Sequence, residues 1–134
     1  MPFLSQKSRK QLEGVDQVLI DILTVAIADS PFDFGIPPDG GVRTTARQQE
    51  LYAQGRTKPG KKITWVDGIE KRSRHQEGKA FDIYAYVDGK ATWDVKYYEP
   101  IARHLQKVAK EKFNVDLKWG GDFKITKDRP HFEI

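Results

Sequence analysis

The strongest constraint on this chain is an absence: none of its 134 residues is cysteine. No disulfide can staple it, so an apolar core must hold it together. A chain of this length suffices for one such core and leaves little for a second. Seven Phe, five Tyr and three Trp supply material for it, which a disordered chain would not. The lack of thiols also excludes Cys-ligated zinc, iron–sulfur clusters and thiol nucleophiles.

The apolar spacing indicates which elements surround that core. Leu12, Val15, Leu19, Ile22, Leu23 and Ala26 recur at three- and four-residue steps, with Val18 and Val25 widening the stripe. That spacing predicts a helix from about Ser8 to Ala28, weakened locally by Gly14 and stopped at Ser30-Pro31. Thr45-x-x-Gln48 fits a capping box and predicts a short second helix, with Gly55 at a left-handed C-terminal cap. Ile63 to Val66 reads as a short strand before an Asp67-Gly68 turn. From Ala80 to Val87 the pattern alternates, with Phe81, Ile83 and Ala85 on one face and Ala80, Asp82, Tyr84 and Tyr86 on the other. Asp88-Gly89 is a turn signal. A third helix is predicted from about Asp94 to Lys112, striped by Tyr98, Ile101, Ala102, Leu105, Val108 and Ala109. Leu117 to Trp119 and Pro130 to Ile134 read as closing strands, and Trp65, Trp93 and Trp119 as core residues. The expected class is α+β: a single domain with a small, mainly antiparallel sheet flanked by about three helices.

Charge narrows the partners only slightly. Lys and Arg number 23 against 19 Asp and Glu, a net charge of +4 that suits polyanionic surroundings without choosing among them. The basic residues are scattered rather than gathered in a stripe with aromatics, so nucleic acid is not the expected partner. The most apolar stretch, Ile22 to Ala28, is far too short to span a bilayer, so no stable membrane insertion is expected. No signal-peptide pattern is read at the N-terminus, which leads to an expected origin in the cytoplasm. Asp16, Asp21, Asp67, Asp88 and Asp94 form no recognisable calcium loop.

The chemistry-bearing residues are few. Of the three histidines, His104 lies at the flank of the third helix's stripe and is expected on the surface. His75 sits in a polar turn ending at Gly78, and Asp82 follows on a strand whose neighbours Phe81 and Ile83 point the other way. A lone carboxylate in such a strand is costly unless it is exposed, paired or metal-bound. Six residues separate His75 from Asp82, a loop-plus-strand length that can bring the two groups together. His131 has a similar setting: Pro130 favours an extended Arg129, and Phe132 and Ile134 alternate inward. His131 then shares the opposite face with Glu133, which could support His131 but is expected to be solvated. Asp128 lies three residues ahead, close enough to sit beside whatever His131 binds. Two imidazoles and a carboxylate form a set that zinc accepts with a fourth position left for water. Manganese and iron accept it too, and plain solvation of the three is the alternative.

Four stretches carry a family resemblance. Ser73-x-His75-x-x-Gly78-x-Ala80-x-Asp82 resembles the SxHxxGxAxD motif of zinc peptidases that cut bacterial cell-wall peptides. These include VanY-like D,D-carboxypeptidases and phage endolysins of the L-alanyl-D-glutamate peptidase type. Asp128-x-x-His131 resembles the family's D/E-x-x-H motif. Gly41-Val42-Arg43-Thr44-x-x-x-Gln48-x-x-Leu51-Tyr52-x-x-Gly55 resembles its arginine-bearing segment, and Trp119-Gly120-Gly121-Asp122 the turn before its last motif. The stretches occur in family order from about Val42 to Ile134. One departure is Phe123, where relatives often carry Trp, which concerns the shape of a substrate wall rather than the metal site.

The resemblance implies that His75, Asp82 and His131 are zinc ligands, Asp128 the general base, and Arg43 the arginine that stabilises the oxyanion. It implies one zinc peptidase domain over 1–134, with an N-terminal helix at about 8–28 and a catalytic core at about 40–134. The implied substrate is the peptidoglycan stem peptide, cut at L-alanyl-D-glutamate. The alternatives are a D,D- or L,D-carboxypeptidase that trims stem-peptide ends, with Lys71, Arg72 and Arg74 as a cationic stop, and, more remotely, a non-catalytic cell-wall binding module. A monomeric lysis enzyme made in the host cytoplasm would depend on a holin to reach the wall from the periplasm. Against these roles stand plainer readings. Arg43 could pair with Asp39, Asp128 could cap the turn before Pro130, and Tyr84 and Tyr86 could serve sheet packing rather than a cleft.

Overall fold

The computed structural model describes residues 3–62, 64, 67–69, 73–124 and 127–134. Chain order begins with helices α1 (Gln6–Gln11) and α2 (Gln17–Ala26), strand β1 (Asp33–Gly35) and helix α3 (Thr45–Ala53). Strands β2 (Ala80–Asp82), β3 (Tyr84–Val87) and β4 (Lys90–Thr92) follow, then helix α4 (Tyr98–Phe113), β5 (Lys118–Trp119) and β6 (His131–Glu133). Among the described residues the strands form two three-stranded antiparallel sheets, β1-β3-β4 and β2-β6-β5. The α+β class is as the sequence indicates, with two small sheets in place of one.

The predicted helix over 8–28 is instead two helices. Gly14 adopts φ +85, a left-handed conformation that only glycine takes without strain, and Asp16 then caps α2 by accepting from the Val18 N–H. The break leaves the stripe intact, for Leu12, Val15, Leu19, Ile22, Leu23 and Ala26 are all buried. Val25 is exposed and falls outside it. The interruption also docks the segment, since the Asp16 N–H donates to Gly78 O at 2.9 Å and Lys79 Nζ reaches Asp16 Oδ2 at 2.5 Å.

The predicted strand over 80–87 keeps its two faces but is cut at Ile83. Phe81, Ile83 and Ala85 are fully buried, while Asp82 and Tyr84 are half-buried and Tyr86 is exposed. At the cut the chain passes from one sheet to the other, and the Ile83 N–H donates to Pro130 O. The alternation is a property of one strand and does not report which partner each half pairs with. Asp88 and Gly89, both at positive φ, make the tight β3–β4 turn.

The core lies between the sheets and the α2–α4 pair. Phe81 and Phe132 stack at 5.1 Å across β2–β6, which fixes Asp82 opposite His131 in register. Truncating either ring should cost about 3–5 kcal/mol and loosen that register. α4 buries the six stripe residues expected of it and ends on Asn114 in the left-handed conformation. Trp119 is buried as expected, Trp93 is exposed, and Trp65, like most of the strand expected over 63–66, lies outside the described residues.

Candidate metal centre

Three chain segments converge on one point. The turn before β2 supplies His75, β2 supplies Asp82, and the paired strand β6 supplies His131. His75 Nε2 lies 3.2 Å from Asp82 Oδ1 and 3.1 Å from His131 Nδ1, and His131 Nδ1 lies 3.2 Å from the same Asp82 oxygen. Each of the three offers one ligand atom to a shared centre. Both imidazoles are buried.

The outer partners decide what those atoms present. His75 Nδ1 is 2.9 Å from Gly41 O, so that nitrogen carries the proton and Nε2 keeps its lone pair. His131 Nε2 is 2.8 Å from Glu133 Oε1, which commits its proton outward and leaves the Nδ1 lone pair facing inward. Two lone pairs and a carboxylate oxygen thus face one another at hydrogen-bond distance. Such a triangle is repulsive unless a proton or a cation occupies it. Ligands held about 2.0–2.1 Å from a tetrahedral zinc lie about 3.3 Å apart, close to the spacing found here. The donor set and its spacing therefore fit a divalent metal.

Protons compete for the same place. Burial works against the charged form of His131, but hydrogen bonds to Asp82 and Glu133 outweigh it and push its pKa up to about 9. Burial likewise opposes the charge of Asp82, and hydrogen bonds with His131 and His75 overcome it, holding its carboxyl well below the usual carboxylate range. The cluster favours positive charge at its centre.

Arg43 completes the frame. Its N–H donates to His75 O, and Asp82 N–H donates to Gly40 O, so the 40–43 loop is bolted to two of the converging residues. Gly41 runs so close to the Gln11 carbonyl that a Cβ would collide with it. The Arg43 guanidinium donates to Asp39 O, Gln48 Oε1 and Asp82 Oδ2 at 3.2, 3.3 and 3.4 Å. The alternative pairing with the Asp39 carboxylate is not formed, because Arg47 takes it at 2.8 Å. α3 is capped by Thr44 rather than Thr45, its hydroxyl accepting from the Arg47 N–H. Gln48 is therefore not half of a capping box. It is buried and braces Arg43, a role that its three-residue spacing from Thr45 disguised.

Asp128 reaches the site from the loop before β6. Its backbone N–H donates to Gly120 O and its carbonyl accepts from His131 N–H. Gly120 is needed there, because a Cβ would run into the Asp128 carbonyl. The Asp128 side chain is open to solvent yet flanked by protein. That surround and then the charge of Asp82 raise its pKa, while His131, His75 and Arg43 pull the other way. A carboxylate so placed is accessible and better able to take a proton than an ordinary surface aspartate.

The structure corrects the readings of Glu133 and His104. Glu133 is not solvated but holds His131, and its other oxygen lies 3.8 Å from Arg74 Nε. Its place two residues after His131 on the same strand face was the available signal. His104 is not a free surface group: its Nε2 lies 2.9 Å from Ala26 O and 3.1 Å from Asp29 Oδ1, tying α4 to the end of α2. Arg74 is ion-paired to Glu77 and Glu133, and Lys71 and Arg72 lie outside the described residues. Phe123 packs 6.0 Å from the His131 ring, so it forms part of the wall beside the centre.

Known proteins resemble this chain in sequence and fold. Residues 1–133 match the family described as phage L-alanyl-D-glutamate peptidase. Over 118 residues, 85% of this chain and 68% of the relative, the sequence is 37% identical to the peptidoglycan L-alanyl-D-glutamate endopeptidase CwlK of Bacillus subtilis (strain 168). It is 29% identical over 130 residues, 96% of this chain and 86% of the relative, to the L-alanyl-D-glutamate peptidase of Escherichia phage T5. The crystal structure of the Serratia marcescens L-Ala D-Glu endopeptidase ChiX superposes with a TM-score of 0.81 at 30% identity, covering 99% of this chain and 90% of that one.

Proposed function

Because the chain belongs to the phage L-alanyl-D-glutamate peptidase family, we propose that it is a zinc endopeptidase hydrolysing the L-alanyl-D-glutamate bond of peptidoglycan stem peptides. The observation that carries the reading is the triangle of His75, Asp82 and His131, with both imidazole protons committed outward and Asp128 alongside. His75, Asp82 and His131 would hold the ion. When bound, zinc supplies a Lewis acid for the scissile carbonyl and acidifies the attacking water from a pKa of about 15.7 to about 7.

The chain's own residues do the rest. Asp128 takes the water proton and delivers it to the leaving amine of the D-glutamate side. Its raised pKa favours the uptake, and its solvent exposure leaves room for substrate. Arg43, fixed by Asp39, Gln48 and Asp82, sets the orientation of Asp82 and presents a positive charge for the developing oxyanion. Gly41 and Glu133 hold the two imidazoles in the tautomers that face inward. One peptidase domain over 1–134 carries all of these parts.

Likeness to the phage T5 peptidase supports a role in lysis; the enzyme is further proposed to act as a monomer, with a holin admitting it to the periplasmic wall. Among the described residues no helix is long and apolar enough to cross a membrane. Native protein found at the wall of holin-free cells would count against that route. The reading itself is tested by digesting purified sacculi with and without a chelator and weighing the fragments. Cuts between L-alanine and D-glutamate that stop with chelation and resume with zinc are expected. Released D-alanine would replace the endopeptidase with a carboxypeptidase.

A further inference from the structure

The outward face of the β1-β3-β4 sheet carries aromatic rings that core packing does not require. Tyr86 and Trp93 are 43% and 55% exposed, although large rings on a small protein are usually covered. Trp93 lies 6.1 Å from the half-buried Tyr84, the rings tilted by 53°. The neighbours of these rings are pared down. Gly35 pairs with Tyr84 across β1–β3, and a Cβ there would overlap the Tyr84 ring and hydroxyl. The phenol therefore lies over the strand instead of standing off it. Tyr86 pairs with Ala91 on one side and Asp33 on the other. The result is a shallow aromatic step edged by the exposed Asp33, Lys90 and Asp94.

This face follows the metal centre directly along the chain, across the step from one sheet to the other at Ile83. Asp82, Tyr84 and Tyr86 share one side of the chain, opposite the buried Phe81, Ile83 and Ala85. Asp82 and Tyr84 are two residues apart, about 7 Å of extended chain. The substrate's chemistry repeats that distance. In peptidoglycan, L-alanine is amide-linked to the lactyl group of a hexosamine, so about two residue-lengths, roughly 7 Å, separate the scissile carbonyl from the sugar ring. A hexopyranose offers an apolar C–H face and a polar rim, which suits an aromatic step with charged edges.

We propose that Tyr84, Trp93 and Tyr86 form a stacking subsite for the N-acetylhexosamine that bears the stem peptide. The inference rests on the peptidoglycan reading above and extends it from the peptide to the glycan strand. The platform gives the enzyme a reason to prefer intact wall over free peptide.

The test compares wild type with Trp93→Ala and Tyr86→Ala, each loaded with zinc and checked for folding by its melting temperature. Chitotetraose, a sugar with no peptide, is titrated while the amide and indole resonances of residues 84–93 are followed. Activity is measured separately on sacculi and on a sugar-free L-Ala-D-Glu stem peptide. Chitotetraose should shift the Trp93 indole signal in wild type at millimolar concentration. Trp93→Ala should lower kcat/KM on sacculi at least fivefold relative to kcat/KM on the free peptide, mainly through KM. An unmoved indole signal together with an unchanged ratio overturns the subsite. So does a wild-type dimer that Trp93→Ala converts to monomer in sedimentation, since a second copy would then cover the face. A wild type that cuts neither substrate defeats the peptidase reading instead, and the sugar titration still decides the platform.

Discussion

Two histidine–carboxylate arrangements in this molecule use the same residue types to opposite ends. At the α2–α4 junction, His104 Nε2 faces the Ala26 carbonyl and the Asp29 carboxylate, so one N–H donor serves two acceptors. In the His75–Asp82–His131 triangle every inward atom is an acceptor, because Gly41 O and Glu133 have already taken the ring protons. A satisfied histidine closes a structure; a set of converging lone pairs asks for a cation. Residue identity and proximity do not separate the two cases, and the second partner of each ring does.

The largest test of that contrast removes a ring from each arrangement. His75→Ala or His131→Ala should abolish stoichiometric zinc and lower peptide hydrolysis by roughly 10³-fold or more. His104→Ala should keep full metal content. Elemental analysis of the purified variants beside turnover on stem peptide checks both, and zinc retained by His75→Ala would break the contrast. Next in size is Asp128→Asn, which should lower kcat by about 10²–10⁴-fold with metal content unchanged. Loss of metal in that variant would move Asp128 from proton transfer to ligation.

The two arrangements were not equally legible in the sequence. The strand alternation put Asp82 and His131 on faces opposite their apolar neighbours but left solvation open; the SxHxxGxAxD and D/E-x-x-H resemblance joined them to His75, which lies in a turn. His104 looked like a surface residue because its partners lie on α2 and the following turn, 78 residues away for Ala26, and no local pattern encodes them. The break at Gly14 was visible as a weakness but not as a turn, since left-handed geometry there depends on docking of Asp16 against Gly78. β1 escaped notice because three residues carry too little pattern, and its pairing with β3 is long-range. Gln48 was seen without its role, which comes only from what tertiary packing sets across from it, whereas the support Glu133 gives His131 was one of two local readings and the structure chooses it over solvation.

Smaller effects sharpen the contrast through the outer partners. Glu133→Ala removes the acceptor that turns His131 inward, and metal affinity should fall about 10–100-fold in a competition titration with a chelating dye. An affinity unchanged within twofold would show that β6 alone orients the ring. The pH dependence of the metal-free protein offers a second check. His131 is raised from 6.5 to about 9, so its contribution to stability is complete below about pH 6.5 and is lost as pH climbs through 9. Asp82 is lowered, so its contribution is present above the ordinary carboxylate range and lost as pH falls below it. The chelated protein should therefore melt lower at pH 9 than at pH 6. On the proposed reading, zinc would take the place of that proton, so the loaded protein should not show the alkaline loss. Equal alkaline slopes with and without zinc would mean that the metal does not displace the proton of His131.

The smallest effect belongs to His104, the histidine outside the triangle. Ala26 ends α2 and caps the 3-10 turn Ile27–Asp29, and its carbonyl also faces α4. His104 meets that carbonyl from α4, whereas its contact with Asp29 involves a carboxylate that is 78% exposed and adds little. Removing the imidazole should thus cost about 1 kcal/mol, the value of one hydrogen bond to a partly buried carbonyl, and lower the melting temperature by roughly 3–4 °C. His104→Gln keeps a donor at similar reach and should recover part of the loss, while Asp29→Asn should change almost nothing. If Asp29→Asn matched His104→Ala, the charge pair and not the carbonyl would be what the junction uses, and His104 would be a second ionic site rather than a helix clamp.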